Sequence, residues 1–130
     1  MSKGGKCAGI ALALLAIAAD VGNRAYAADG GAAIYDRCRA CHSIQANGTG
    51  PRHCGLFGRM AGSEPGFAYS PAMRVSRIRW NKQTLDQFLV APTKVVPGTL
   101  MTYAGVPDAA ERKLLIAYLE SATRKPSRCR

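Results

Sequence analysis

The chain is poor in acid, in histidine and in tryptophan. Its 130 residues hold 8 Asp+Glu against 18 Lys+Arg, with two His and a single Trp. Two histidines are too few for a multi-histidine metal site, and neither an HExxH pair nor a Gly-rich phosphate loop occurs. No apolar run reaches the roughly 18 residues of a membrane-spanning helix, which argues against a lasting span. Five Cys are too few for a disulfide scaffold at this length, so each one needs its own reason. What is present is globular: 48% hydrophobic and 20% charged residues, in a length that suits one domain.

The N-terminus reads as an export label. Lys3 and Lys6 give a basic start, Ile10 to Ala19 is unbroken apolar chain, and Ala25-Tyr26-Ala27 is an A-x-A site. Together these describe a secretory signal peptide over residues 1–27, cut after Ala27. An uncleaved amphipathic or buried helix is the alternative. Cys7 lies before the apolar run rather than after it, so a lipoprotein anchor is set aside. The mature domain is then residues 28–130, with 15 basic and 7 acidic residues and a net charge of +8. Export places it in the periplasm, where disulfides are permitted. A domain of this size has a small core, which a large apolar cofactor would extend.

The mature chain predicts helices joined by long loops. Ala32 to His42 lacks Gly and Pro and suits a first helix. Residues 48–66 contain eight Gly or Pro and read as loop. Ser70-Pro71 pairs an N-cap with proline at the first helical position and opens a short helix to about Arg77. Asn81 caps a further helix carrying Leu85, Phe88 and Leu89 on one face, closed by Pro92. Val95 to Val106 is loop. Asp108 caps a last helix, with Glu111 at capping-box spacing and Leu114, Leu115, Tyr118 and Leu119 as its apolar stripe, running to about Ala122. The class is all-α. Loops over 43–69 and 93–107 are long for so small a domain and need something to pack against.

Cys38-Arg39-Ala40-Cys41-His42 is C-x-x-C-H, the attachment sequence of c-type haem. Two Cys at i and i+3 share one helix face, so each can form a thioether to a vinyl group of one porphyrin. His42 then reaches the iron as proximal ligand. A redox dithiol would want a preceding strand and a zinc ribbon a second C-x-x-C, and neither is there. Met101 is the candidate sixth ligand, because a thioether is a soft ligand that raises the potential of haem iron. Met60 and Met73 are its competitors. A methionine is more often core filler than ligand, and the Pro97-Gly98-Thr99-Leu100 context before Met101 is what decides for it.

The ordered set of motifs resembles class I cytochrome c of the bacterial cytochrome c2 type, which is similar to mitochondrial cytochrome c. Gly31 to Tyr35, Gly50-Pro51, Gly55 to Arg59, Pro65 to Ser70, Trp80, Pro97-Gly98-Thr99 with Met101, and Leu115 to Leu119 carry the match over roughly residues 31–122. The resemblance implies the cytochrome c fold, helices and long loops wrapped around one haem c bound covalently through Cys38 and Cys41. It implies that the Pro51 carbonyl accepts the free His42 N–H, and that Arg59, Tyr69, Trp80 and Thr99 hydrogen-bond the haem propionates. Gly31, Tyr35, Leu115 and Tyr118 would join the first and last helices. Plain core packing for the aromatics, and a solvated charge for Arg59, are the readings without it.

Several positions depart from that pattern. Phe88 stands where the family has a tyrosine whose hydroxyl reaches the ligand sulfur, and Met73 where it has an asparagine, which together imply a drier interior. His53 replaces an apolar residue that packs on the porphyrin. It either is a partly exposed histidine or competes as an axial ligand after the loop refolds. Leu100 replaces a lysine. Cys54 and Cys129 either pair across the oxidising compartment or remain free or intermolecular thiols.

With His42 and Met101 both bound, the iron has no open position, and the site is a one-electron carrier rather than an enzyme. Arg37, Arg39, Arg52, Arg74, Arg77, Arg79, Lys82 and Lys94 are candidates for a basic face that steers docking on acidic partners. The implied partners are acidic docking faces of a bc1 complex, a terminal oxidase, a photosynthetic reaction centre or a periplasmic dehydrogenase. Nucleic acid is not expected, and the carrier is expected to be a monomer. Two other classes stay open: a gas- or peroxide-reactive haem protein with Met101 weakly held, and a thiol or zinc module at Cys38 and Cys41. A fold of this kind predicts a hollow lined by Leu56, Trp80, Phe88 and Met101.

Overall fold

The computed structural model describes residues 29–124 and residue 129. The expected export segment, residues 1–27, lies outside them. Five helices follow in order: α1 is helical over 29–35 and tightens into a 3-10 turn at Asp36–Cys38, α2 spans Pro71–Val75, α3 Lys82–Val90, α4 Pro92–Val95 and α5 Ala109–Arg124. Among the described residues there is no strand, only an antiparallel bridge between Met60 and Arg79.

The caps form where the sequence places them. Ser70 accepts from the Met73 N–H at 3.2 Å, and Pro71 occupies the first helical position of α2. Asn81 and Thr84 bond reciprocally at 2.9 Å in a full capping box on α3. Each such cap stabilises its helix by about 1 kcal/mol. Asp108 Oδ1 accepts from the Glu111 N–H at 2.8 Å, but the Glu111 carboxylate does not close the box. It reaches instead to Arg37 in the closing turn of α1, with bonds of 2.7 and 2.9 Å.

Three boundaries differ from expectation. α1 begins no later than residue 29 and gives way to tighter turns before His42. α2 stops at Val75, because Arg77 takes a left-handed backbone with φ 56° that breaks the helical path. Pro92 closes α3 but also opens α4, since a proline suits the first turn of a helix as well as the end of the previous one.

The core packs α3 against α5 and folds α1 across α5. Leu115, Ile116, Leu119 and Ala122 form the buried stripe of α5, while Leu114 and Tyr118 are half-buried and face α1. The α1–α5 crossing depends on Gly31. A Cβ there would meet the Leu114 carbonyl oxygen and lie 2.5 Å from the Tyr118 Cβ. The Tyr35 and Tyr118 rings pack beside it, centroids 5.3 Å apart. Gly31→Ala is therefore expected to cost about 3 kcal/mol through overpacking, read as a lower denaturation midpoint. An unchanged midpoint would mean the helices separate freely.

Arg112, a charge that no local motif marks, is also buried. Its Nε donates to Asp86 at 2.8 Å and its Nη1 to the Val106 and Pro107 carbonyls at 3.0 and 2.8 Å, tying α5 to α3 and to the returning loop. Cys54 and Cys129 are joined in a disulfide with Cα atoms 5.2 Å apart, so of the alternatives left open the pairing holds.

Candidate haem site

The long loops surround a cavity. A cavity of about 290 Å³ is enclosed by the chain around residues 37–59, by α2 and α3, and by the loop at 99–103. Leu56, Trp80, Phe88 and Met101 all line it, as a hollow of that kind requires. Backbone ladders hold its walls: the Gly58 N–H donates to Trp80 O at 2.8 Å, Trp80 N–H to Arg59 O at 2.9 Å and Ala61 N–H to Ile78 O at 2.7 Å. That pairing sets Arg59 and Trp80 side by side on one wall. Trp80 packs on Phe88, ring centroids 5.1 Å apart.

Cys38, Cys41 and His42 also line the cavity. The Cys41 and His42 N–H groups both donate to Cys38 O, at 3.1 and 2.9 Å, so the motif closes a tight turn with both thiols on the cavity side. Burial pushes the Cys38 thiol above its ordinary value, against the opposing charge of Arg37. His42 Nδ1 lies 2.8 Å from Pro51 O. A carbonyl only accepts, so Nδ1 carries the proton and Nε2 keeps its lone pair. Burial holds the His42 pKa below its usual value, with the Pro51 bond opposing, and keeps the ring neutral.

Gly50 makes room for that ring. A Cβ on it would stand 2.6 Å from His42 Nδ1 and 2.7 Å from Nε2. Sequence alone marks Gly50 only as the residue before Pro51 in a Gly- and Pro-rich loop. The close approach belongs to two loops meeting in space.

The remaining expected site residues also line the cavity: Pro51, Arg59, Tyr69, Thr99 and Met101. Thr99 Oγ1 accepts from the Met101 N–H at 3.2 Å, which leaves its own proton free to donate. Burial pushes the Tyr69 phenol up. Of the competing methionines, Met60 is held in the bridge to Arg79 and is no part of the lining, whereas Met73 is buried on the wall.

His53 stands on the same side as His42. Their rings stack, centroids 4.4 Å apart, and Tyr35 Oη lies 3.1 Å from His53 Nδ1. Burial, the adjoining His42 and the charge of Arg59 hold the His53 pKa well below its usual value. Its N–H donates to Ser43 O at 2.9 Å, so ligation opposite His42 would require this loop to unpick.

The residues present fit a covalently attached haem. Two thiols share one turn, a neutral imidazole keeps a free nitrogen, and a thioether lines the same cavity. Arg59 Nε is buried with no hydrogen-bond partner among the described residues, a donor that a carboxylate at this wall would satisfy.

Half of the expected basic face is neutralised. Arg37 pairs with Glu111, Arg39 with Asp36, Arg52 with Glu64 and Lys82 with Glu120. Among the described residues no carboxylate bridges Arg74, Arg77, Arg79 or Lys94.

Known proteins share this arrangement of chain. The cytochrome c family profile matches residues 28–123. Cytochrome c2 of Rhodoblastus acidophilus is 43% identical over 94 residues, covering 70% of this chain and 88% of that protein. Cytochrome c of Tetrahymena pyriformis is 48% identical over 96 residues, covering 72% and 87% respectively. Among solved structures, cytochrome cH from Methylobacterium extorquens matches with a TM-score of 0.70 at 38% identity, over 72% of this chain and 97% of that one.

Proposed function

The chain belongs to the cytochrome c family of monohaem electron carriers, which are not enzymes, and on that premise we propose that it is an exported periplasmic carrier whose haem iron is held by His42 and Met101. The observation that carries this reading is the His42 ring. Its Nδ1 is tied to Pro51 O at 2.8 Å, and its free Nε2 belongs to a cavity that Met101 also lines.

Bound haem supplies a one-electron couple between iron(II) and iron(III). The protein's own residues do the rest. Cys38 and Cys41 hold the porphyrin by thioether bonds, and Pro51 fixes the orientation of His42 and raises its basicity. Met101 would offer its thioether to the iron and favour the reduced state. Arg59, Tyr69, Trp80 and Thr99 donate to the propionates, whose burial needs a cation and donors close by. Leu56 and Phe88 exclude water, so little reorganises when the electron moves.

Docking falls to the surface that remains charged. Arg74, Arg77, Arg79 and Lys94 supply the positive field, and the exposed Val75 and Leu100 add apolar contact (72% and 73% exposed). This suits a partner with a carboxylate-rimmed apolar face, on a bc1 complex, a terminal oxidase, a reaction centre or a periplasmic dehydrogenase. The mature carrier works as a monomer, cut after Ala27.

The test is the absorption spectrum of the exported protein, oxidised and reduced. A low-spin c-type spectrum with the weak far-red band of an iron–methionine sulfur bond is expected. Met101→Ala abolishes that band and lowers the reduction potential by a substantial part of the roughly 0.8 V that axial ligands span. Met73→Leu keeps the band. A band that survives in Met101→Ala moves the ligand elsewhere, and absence of covalent haem overturns the reading.

A further inference from the structure

Among the described residues Glu64 is the one carboxylate that the fold buries, at 5% exposure. Its Oε1 accepts from Arg52 Nε at 2.6 Å and its Oε2 accepts from Arg59 Nη1. Burying a carboxylate costs several kcal/mol unless its pairing is good, and pairs of this kind add little stability on balance. Haem attachment and iron ligation make no use of this carboxylate. Its effect is on Arg59. Nη1 is held by Glu64 and by Cys54 O at 2.9 Å, and Nη2 by Arg52 O at 2.9 Å. Both terminal nitrogens have partners, and Nε is the guanidinium nitrogen left without one, buried in a residue that lines the cavity.

We propose that Glu64 is a positioning residue that sets the reduction potential: it turns Arg59 so that Nε serves a haem propionate, and it cancels part of the guanidinium charge felt there. The proposal rests on the reading that Arg59 meets a propionate. Two arginines and one carboxylate leave the cluster at a net charge of +1. A more positive cluster favours the electron on the iron, and a less positive one disfavours it. Glu64→Gln raises the cluster to +2, and Arg52→Gln lowers it to zero. The Arg52 side chain is 38% exposed, so screening makes its shift the smaller.

The experiment is a redox titration of the haem-loaded wild type, Glu64→Gln, Glu64→Asp and Arg52→Gln at low salt. At the wild-type midpoint, the ratio of reduced to oxidised protein is expected to rise about three- to tenfold in Glu64→Gln. A tenfold change is about 59 mV for one electron. In Arg52→Gln the ratio falls, and in Glu64→Asp it stays near that of the wild type. A purely structural role lowers both denaturation midpoints but does not move the two potentials in opposite directions. Shifts of the same sign, or none, overturn the proposal. If Glu64→Gln does not load haem, Arg52→Gln decides alone: a fall supports the proposal, and an unchanged or raised ratio overturns it. The far-red band is recorded for every sample. Its absence from the wild type defeats the carrier reading instead, so the two failures are distinguishable.

Discussion

Gly50→Ala is expected to lose the low-spin c-type spectrum, or to accumulate little haem-loaded protein. The added methyl falls on the His42 ring, 2.6 Å from Nδ1 and 2.7 Å from Nε2, distances that real Cβ atoms do not tolerate. Either the ring turns away or the Gly50-Pro51 segment retreats. Both movements break the 2.8 Å contact between Nδ1 and Pro51 O that fixes the tautomer and aims Nε2. The segment cannot retreat far, because the Gly50 N–H donates to Cys41 O at 2.7 Å and so ties it to the attachment turn. Overpacking of this kind costs about 1–3 kcal/mol, and here the cost falls on the proposed proximal ligand itself. Gly48→Ala is the control. Its Cβ would meet only Cys41 O, at 3.3 Å, which a shift of a few tenths of an ångström relieves. Absorption spectra of both variants and their yields of covalently bound haem settle the matter. A Gly50→Ala spectrum like that of the wild type means the loop relaxes and that room at Gly50 does not set the ligand geometry.

The helices and the attachment motif were legible in the sequence because their signals are local. Ser70, Asn81 and Asp108 cap the helices expected of them, since a capping side chain bonds to an N–H two or three residues on. The C-x-x-C-H turn carries its own spacing. What the sequence hid is made by residues far apart in the chain. Glu111 sits at capping-box spacing, yet its carboxylate is drawn 74 residues away to Arg37. Arg112 and Glu64 look like solvated charges, and become buried only because carbonyls or arginines from other segments converge on them. Three members of the basic face likewise find acids in other segments, Arg37 at Glu111, Arg52 at Glu64 and Lys82 at Glu120, whereas Arg39 pairs locally with Asp36 at i,i+3 spacing. His53 lies in a Gly- and Pro-rich loop, and its side of the cavity became definite only when its ring met His42.

The disulfide is the other such contact, and removing it has a large expected effect on stability. Cys54 and Cys129 stand 75 residues apart, so the bond closes more than half of the chain into one loop. In the chain-entropy model a loop of that size confines the unfolded state by about 4 kcal/mol, an upper figure. For a domain near 100 residues this is a melting temperature lower by roughly 15–30 °C in Cys54→Ala/Cys129→Ala. The haem spectrum should stay as in the wild type, because the backbone at this position has other holds. The Cys54 N–H donates to Ile44 O at 2.8 Å, and its carbonyl accepts from Arg59 Nη1 at 2.9 Å. Stability and spectrum are thus expected to separate: the staple acts mainly on the unfolded chain, the hydrogen bonds on the site. Thermal unfolding followed in the Soret band and by far-ultraviolet dichroism reads both. A spectrum that changes along with the melt would place Cys54 among the residues that shape the proximal wall. An unchanged melt would mean that the unfolded chain is already compact without the staple, so that closing the loop confines it little. The double variant therefore measures how compact the chain is before it folds.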